Sequence, residues 1–127
     1  MQELTLTTHS RHQIVDITAL VTDALGDART EGLACISVPH CTCAVYVNEN
    51  EPGLVQDTLA LIDGLSRGNW QHDRIDDNAG AHLAASVIGN AVCLPVQGGR
   101  LVLGTWQRVM LVELDGPRHR TVHITVV

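Results

Sequence analysis

The last third of the chain alternates between apolar runs and turn-forming residues, as consecutive β-strands do. This pattern predicts four strands, at residues 91–96, 100–103, 107–114 and 119–127. Gln97-Gly98-Gly99 separates the first two and is typical of a tight hairpin, because glycine readily adopts positive φ. In the last segment Thr121, His123 and Thr125 alternate with valine and isoleucine, which predicts a half-buried strand.

The first two thirds of the chain mix helical and strand periodicities. Apolar residues recur every three or four positions in three segments, which predicts helices at 17–25, 53–65 and 78–88. Asp16 is expected to be the N-cap of the first helix, and Gly26 is expected to end it. Strands are predicted at 3–8, 12–15, 33–38 and 43–47, with the first two paired and the nearly continuous apolar run at 33–38 central. Residues 66–77 have no apolar period and are predicted to form a loop.

This order of elements predicts an α+β fold with about three helices. The sheet is expected to be mainly antiparallel or mixed and to curl into a sandwich or a barrel. A chain of 127 residues is long enough for one core but not for two, so residues 1–127 are interpreted as a single domain.

Charge and composition exclude several classes of function. All eight basic residues are arginine, which removes lysine-based Schiff-base chemistry and lysine phosphate loops. The net charge of −6 argues against nucleic acid as a partner. No apolar run approaches the roughly 20 residues of a membrane span, and no signal peptide is recognisable, so a cytoplasmic protein without a membrane partner is expected. The four cysteines lack Cys-x-x-Cys spacing and are expected to be free thiols in such a compartment.

Seven histidines are present, and three of them are candidates for a metal site. His40 follows the central strand, His72 lies in the polar loop, and His82 lies on the alanine-rich helix. Three neutral imidazoles with one open position form a catalytic zinc site, in which bound water ionises near pH 7. The alternative is that each histidine is a structural or surface residue.

The acidic turn Asn48-Glu49-Asn50-Glu51 precedes the second helix and allows two interpretations. A carboxylate of Glu49 or Glu51 beside a metal-bound water can act as a general base or orient a histidine ligand. Acidic and amide side chains before a helix also commonly serve as caps and partners of the helix dipole.

Two further segments carry candidate substrate contacts. Arg118 and Arg120 lie two positions apart on extended chain, so their guanidinium groups are expected to face the same way and to suit a phosphate or a carboxylate. The alternative is that they pair with Glu113 and Asp115. Trp106, beside Thr105 in a polar turn between strands, is interpreted either as a stacking surface for a ligand or as a core residue.

Five segments occur in the order found in one family. They are 39–44 (PHCTCA), 47–51 (VNENE), 78–83 (NAGAHL), 101–107 (LVLGTWQ) and 113–118 (ELDGPR). Taken together, they resemble the YjbQ family, the group called secondary thiamine-phosphate synthase enzymes. The resemblance covers nearly the whole chain.

The resemblance implies a homotrimer of small α+β subunits with a histidine-containing pocket and a bound divalent metal, with zinc as the first candidate. It places His40 and His82 in that pocket and His72-Asp73 in the middle loop, so Asp73 joins Glu49 and Glu51 as a candidate catalytic residue. Two positions depart from the pattern. Cys41 stands where the family usually has threonine, and Gly80 stands where aspartate is frequent.

Two functions of different classes follow from these observations. The first is a metal-dependent enzyme with weak thiamine phosphate synthase activity, which would join two phosphorylated precursors with loss of pyrophosphate. Thr105, Trp106, Arg118 and Arg120 would contact that small anionic substrate. The second is a non-catalytic oligomeric module that binds a metabolite or a partner and in which the histidines are structural.

Overall fold

The computed structural model describes residues 1–26 and 30–127, and it confirms the α+β class. These residues form eight strands, three α-helices and one 3-10 helix. In chain order they are β1 (Gln2–Thr7), β2 (Gln13–Asp16), α1 (Thr18–Leu25), β3 (Glu31–Ser37), β4 (Cys43–Asn48), α2 (Pro52–Ser66), the 3-10 helix (Gln71–Arg74), α3 (Ala79–Ile88), β5 (Ala91–Gln97), β6 (Arg100–Leu101), β7 (Arg108–Glu113) and β8 (His119–Val126). No helix in this described part of the chain is both long and apolar enough to cross a membrane.

The strands form two antiparallel sheets. The larger sheet has the order β1-β8-β3-β5-β6, and the smaller has the order β2-β7-β4. The prediction that residues 33–38 form a central strand is confirmed, since β3 pairs with both β5 and β8.

The predicted pairing of the first two strands is wrong. β1 pairs with β8, whereas β2 pairs with β7 in the other sheet. The reason lies in the apolar residues of β2, which face both ways: Val15 packs against one core cluster and Ile14 against the other. A strand with apolar contacts on both sides is stabilised best in the middle layer of the molecule, where β2 lies.

Two apolar clusters stack on either side of the small sheet. The larger cluster fills the space between the sheets and includes Val21 and Leu25 of α1. The smaller cluster lies between the small sheet and helices α2 and α3, and it includes Ile62 and the alanines of α3. All residues of β7 from Val109 to Glu113 are buried, because this strand separates the two clusters.

The first helix begins one position later than expected. Ile17, not Asp16, occupies the N-cap position, and the Asp16 carboxylate instead accepts a hydrogen bond from the Thr18 backbone N–H at 3.0 Å and one from Arg108 at 2.7 Å. The helix ends at Gly26 as predicted, with φ at +52°, a conformation that favours glycine. The β5–β6 hairpin is also confirmed, with positive φ at both Gly98 and Gly99.

Helices α2 and α3 approach each other closely at Gly80. A Cβ atom at Gly80 would lie 2.2 Å from the carbonyl oxygen of Ser66, the last residue of α2. The buried face of α3 is otherwise made of four alanines, Ala79, Ala81, Ala84 and Ala85. These small side chains let α3 lie flat against the small sheet, and this position brings His82 to the edge of the layer.

Candidate functional site

An open cavity of about 480 Å³ lies where β3, α3 and β5 meet at one edge of the molecule. We call it the histidine cavity. Its lining comes from the loop after β3, the start of β4, the part of α3 from His82 onwards and the turn into β5. The lining residues are His40, Cys41, Cys43, His82, Ala85, Ser86, Gly89 and Asn90. His40 and His82, which are 42 positions apart in the sequence, therefore share one cavity.

The His40 ring is held in one tautomer by the backbone of β8. Its Nε2 atom accepts a hydrogen bond from the Thr121 N–H at 2.9 Å, so Nε2 carries no proton. In the neutral ring the proton is therefore on Nδ1, which makes that atom a donor. Burial lowers the pKa of His40, and the nearby Arg120 guanidinium lowers it further. Near neutral pH His40 is therefore an uncharged N–H donor.

The His82 ring also contacts the ring of His72, which does not line the histidine cavity. Their ring centroids are 4.8 Å apart, and the ring planes meet at 78°. His72 Nε2 lies 3.1 Å from Asn78 Oδ1, and the amide nitrogen of Asn78 donates to Asp115 at 3.0 Å. Since this fixes the Asn78 oxygen as an acceptor, His72 Nε2 must be the donor, and its Nδ1 lone pair is left free. Metal-bound histidines are commonly oriented by such a second partner.

The three histidines differ in how well they fit a zinc ion. His72 and His82 fit, because the His72 Nδ1 lone pair is free and the His82 ring makes no hydrogen bond to any described residue. His40 does not fit, because its one unprotonated nitrogen already accepts the Thr121 N–H. In residues 1–26 and 30–127, no three His, Cys, Asp or Glu side chains are grouped so as to hold a metal ion. The three-histidine zinc site stays a prediction.

The candidate residues of the acidic turn lie in a different cavity, of about 520 Å³. Glu49, Glu51, Thr105 and Trp106 line it together, and it shares no lining residue with the histidine cavity. The Glu51 carboxylate caps α2 by accepting hydrogen bonds from Gly53 N–H at 2.8 Å and Leu54 N–H at 2.6 Å. These two bonds lower the pKa of Glu51, so the capping interpretation describes its role in the fold.

Trp106 is 70% exposed, so the interpretation of this residue as part of the core is wrong. The turn that carries it satisfies its own polar groups. Gln107 N–H donates to the Gly104 carbonyl at 3.1 Å, and the Gln107 side chain accepts from Gly104 N–H at 2.8 Å. A turn closed in this way needs no contact from the indole, which projects into solvent.

Asp73 also has a structural partner. Its Oδ1 atom accepts a hydrogen bond from the Ala79 N–H at 2.9 Å and so caps the first turn of α3 from six positions upstream. Asp73 lines a separate cavity of about 350 Å³ near Arg11 and Asp63. No contact places it beside His40 or His82, so a catalytic role for Asp73 stays a prediction.

The two arginines do not form one exposed pair, because they differ in burial. Arg118 is exposed and bonds Asp115 through a side-chain contact of 3.1 Å, which is the pairing alternative considered above. Arg120 is only 3% exposed and forms an ion pair with Glu113, which is fully buried. Neither arginine lines the histidine cavity.

The buried pair is the centre of a fully hydrogen-bonded network beneath that cavity. Glu113 accepts hydrogen bonds from the Thr8 hydroxyl at 2.6 Å and from the Leu114 and Asp115 N–H groups. Arg120 also donates to the carbonyl and the hydroxyl of Thr42. Burial by itself would raise the pKa of Glu113, but the hydrogen bond from Arg120 and those from Thr8 and Asp115 hold it below its usual range.

The charge of the histidine cavity differs from that of the molecule as a whole. None of its eight lining residues is a carboxylate, although the chain has a net charge of −6. Burial raises the pKa of Cys43 to about 12, so this thiol is not a nucleophile near neutral pH. Arg120 lowers the pKa of His40 and Glu113 raises it, and these two side chains form one ion pair beside the cavity.

Comparison with known proteins gives a consistent set of relatives. A family model described as UPF0047 protein YjbQ-like matches residues 2–127. A UPF0047 protein of Archaeoglobus fulgidus is 46% identical over 94% of this chain and 95% of its own length. YugU of Bacillus subtilis is 36% identical over 98% of this chain and 96% of its own.

Solved structures agree with these sequence relatives. A hypothetical protein from Aeropyrum pernix K1 superposes with a TM-score of 0.95 at 44% identity, covering 98% of this chain and 96% of its own. An uncharacterised YjbQ/UPF0047 protein from Clostridium acetobutylicum superposes with a TM-score of 0.92 at 33% identity, covering all of both chains. These descriptions state no reaction and no ligand.

Proposed function

Since this chain belongs to the YjbQ-like UPF0047 family, we propose that its histidine cavity binds a small phosphorylated metabolite. The observation that carries the proposal is the lining of the cavity, which offers neutral hydrogen-bond donors and no carboxylate. Such a surface accepts an anion without like-charge repulsion, although the rest of the chain is acidic.

Two kinds of donor are available to a phosphate in this cavity. His40 offers Nδ1–H, fixed by the Thr121 contact on the other side of its ring. Asn90 adds a side-chain amide from the turn into β5, whereas the Ser86 hydroxyl already donates to the His82 carbonyl at 3.0 Å.

A divalent metal, with zinc as the first candidate, is part of the same proposal. His72 and His82 would hold it, and Asn78 with Asp115 would orient His72. A metal there would supply a Lewis acid for a phosphate oxygen. A third ligand would come from the metabolite or from a neighbouring subunit of the homotrimer that the family resemblance implies.

The thiamine phosphate synthase activity implied by the resemblance is proposed as a secondary activity. That reaction joins a pyrimidine diphosphate to a thiazole phosphate and releases pyrophosphate. In this chain the Nδ1–H of His40 would stabilise negative charge on the leaving pyrophosphate. Glu49, Glu51 and Asp73 lie outside the cavity, so no carboxylate of the described chain is placed to remove a proton there.

That separation of carboxylates from histidines favours the second candidate, a module that binds the metabolite without turnover. Both candidates require the same binding event in the histidine cavity. They differ in whether the two phosphorylated precursors yield thiamine phosphate above the background rate when wild-type protein is added.

Replacing His40 with alanine is expected to weaken binding of inorganic pyrophosphate at least tenfold at pH 7. The variant removes a hydrogen bond to a charged ligand, worth about 1.5–3 kcal/mol, where about 1.4 kcal/mol is a factor of ten. Isothermal titration calorimetry on wild type and His40→Ala measures the change. His9→Ala is the matched control, because His9 is exposed and lies outside the histidine cavity.

Equal pyrophosphate affinity in His40→Ala and His9→Ala would contradict the proposed site. The metal is tested in the same series by titrating zinc alone into chelator-treated protein. His72→Ala and His82→Ala should both lose zinc affinity relative to His9→Ala. Unchanged zinc affinity in both variants would show that His72 and His82 are not zinc ligands. The pyrophosphate titration would then be the remaining test of the anion site.

A further inference from the structure

Two exposed cysteines lie directly opposite each other in the larger sheet. Cys35 on β3 and Cys93 on β5 are register partners in the antiparallel ladder. Ala34 and Ile36, on either side of Cys35, are buried, and Val92 and Leu94, on either side of Cys93, are partly buried, so the two thiols lie on the solvent-facing side of the sheet. Successive strand residues point to opposite faces, and register partners point to the same face.

The backbone hydrogen bonds of β3 show whether Cys35 and Cys93 form a hydrogen-bonded or a non-hydrogen-bonded pair. Leu33 exchanges both backbone hydrogen bonds with Val127 on the β8 side of the strand. Cys35, two residues on, also directs its backbone groups towards β8. On the β5 side, the bond from Val38 N–H to the Asn90 carbonyl shows that the even-numbered residues of β3 face β5. Cys35 and Cys93 are therefore a non-hydrogen-bonded pair.

This geometry places the two sulfur atoms within reach of each other. The Cα atoms of a non-hydrogen-bonded antiparallel pair lie about 4.5 Å apart. A disulfide requires a Cα separation of about 4.4–6.8 Å. The strands can therefore accept the bond with little movement of the backbone.

We propose that Cys35 and Cys93 are a redox modification site that forms a reversible cross-strand disulfide. A low-molecular-weight disulfide such as glutathione disulfide is the oxidant. The thiolate of one cysteine attacks it, forms a mixed disulfide and releases one glutathione thiol. The thiolate of the other cysteine then attacks the protein sulfur of the mixed disulfide and releases the second glutathione. Two electrons and two protons pass from the protein dithiol to the oxidant.

The other two cysteines do not offer this chemistry. Cys43 is buried, faces Glu113 across the β4–β7 ladder and has a pKa of about 12. Cys41 lines the histidine cavity in the loop before β4 and has no strand partner. The Cys35–Cys93 pair is thus the one cross-strand dithiol among the described residues.

The position of the bond gives it a structural consequence. β3 leads into the loop that carries His40, and β5 begins directly after Gly89 and Asn90. The disulfide would tie together the two strands whose ends form the rim of the histidine cavity. The Cys35–Cys93 disulfide depends only on the pairing of β3 with β5 and does not depend on the ligand that we propose for the cavity.

The test is oxidation of the folded protein with glutathione disulfide, followed by alkylation, intact mass and peptide mapping. Wild type and Cys41→Ser are expected to lose two free thiols and to yield a peptide pair joined through Cys35 and Cys93, which dithiothreitol releases. Cys35→Ser and Cys93→Ser are expected to stop at a glutathione adduct on the remaining cysteine. Stable glutathione adducts on both cysteines of the wild type, thiols that stay unmodified, or a crosslink through Cys41 would each overturn the proposal.

Discussion

Replacing Arg120 with methionine is expected to lower the free energy of unfolding by about 3–5 kcal/mol at pH 7. The change removes the partner of Glu113, which is fully buried and would then carry an uncompensated charge in the interior. It also removes the two hydrogen bonds that Arg120 donates to Thr42. Urea denaturation followed by circular dichroism measures the loss.

Arg118→Met is the matched control. Arg118 is the same residue type, two positions away, but its ion pair with Asp115 is exposed. Exposed pairs contribute about 0–1 kcal/mol, so this variant is expected to unfold close to wild type. Similar losses in the two variants would contradict the assignment of Arg120 as the buried partner.

The pH dependence of the Arg120 effect has a definite sign. The pKa of Glu113 is lower in the folded state than in the unfolded state. Its pairing therefore contributes stability that is fully present above the unfolded-state value and is lost as pH falls through the folded-state value. The difference between wild type and Arg120→Met is accordingly expected to shrink in acid, below about pH 4.5, where the unfolded carboxyl is protonated.

Replacing Gly80 with alanine is expected to destabilise the protein by about 1–3 kcal/mol, the usual cost of overpacking. In an exposed helix the same change stabilises by about 0.5–1 kcal/mol, because glycine loses more backbone entropy on folding. At Gly80 the added Cβ would meet the Ser66 carbonyl oxygen at 2.2 Å, and helices α2 and α3 would have to separate.

Gly64→Ala provides the opposite case in the same pair of helices. Gly64 lies in α2, and a Cβ there has no atom within 4 Å. The thermal midpoint is expected to rise for Gly64→Ala and to fall for Gly80→Ala. A rise in both variants would contradict the close approach of α2 to α3.

The sequence predicted the elements better than their partners. The helices and most strands follow from local periodicity, which needs no knowledge of the rest of the chain. Pairing is different, because β1 pairs with β8 and β2 with β7, at separations of about 100 residues or more. Turn residues fix only the local hairpin, and so the β5–β6 turn was predicted correctly while the predicted pairing of β1 with β2 was wrong.

The candidate site was predicted in part, and the alternation in β8 held a signal that was not used. Arg120 is in phase with Val122 and Ile124, both of which are buried, so the strand period itself places Arg120 on the inner face. His40, His72 and His82 were grouped as a candidate metal site from their positions, and the family resemblance placed His40 and His82 in one pocket, since no local spacing connects them. The separation of Glu49 and Trp106 from the histidines depends on how the layers stack, which the sequence pattern does not contain.

The most direct test of the histidine cavity is the imidazole ¹⁵N spectrum of labelled protein at pH 7, with and without inorganic pyrophosphate. The geometry predicts a neutral His40 ring with its proton on Nδ1 and an unprotonated Nε2. Pyrophosphate is expected to shift the His40 and His82 resonances and to leave His9 unchanged. A His40 ring protonated at Nε2, or His40 and His82 resonances that do not move at saturating pyrophosphate, would contradict the proposed binding site.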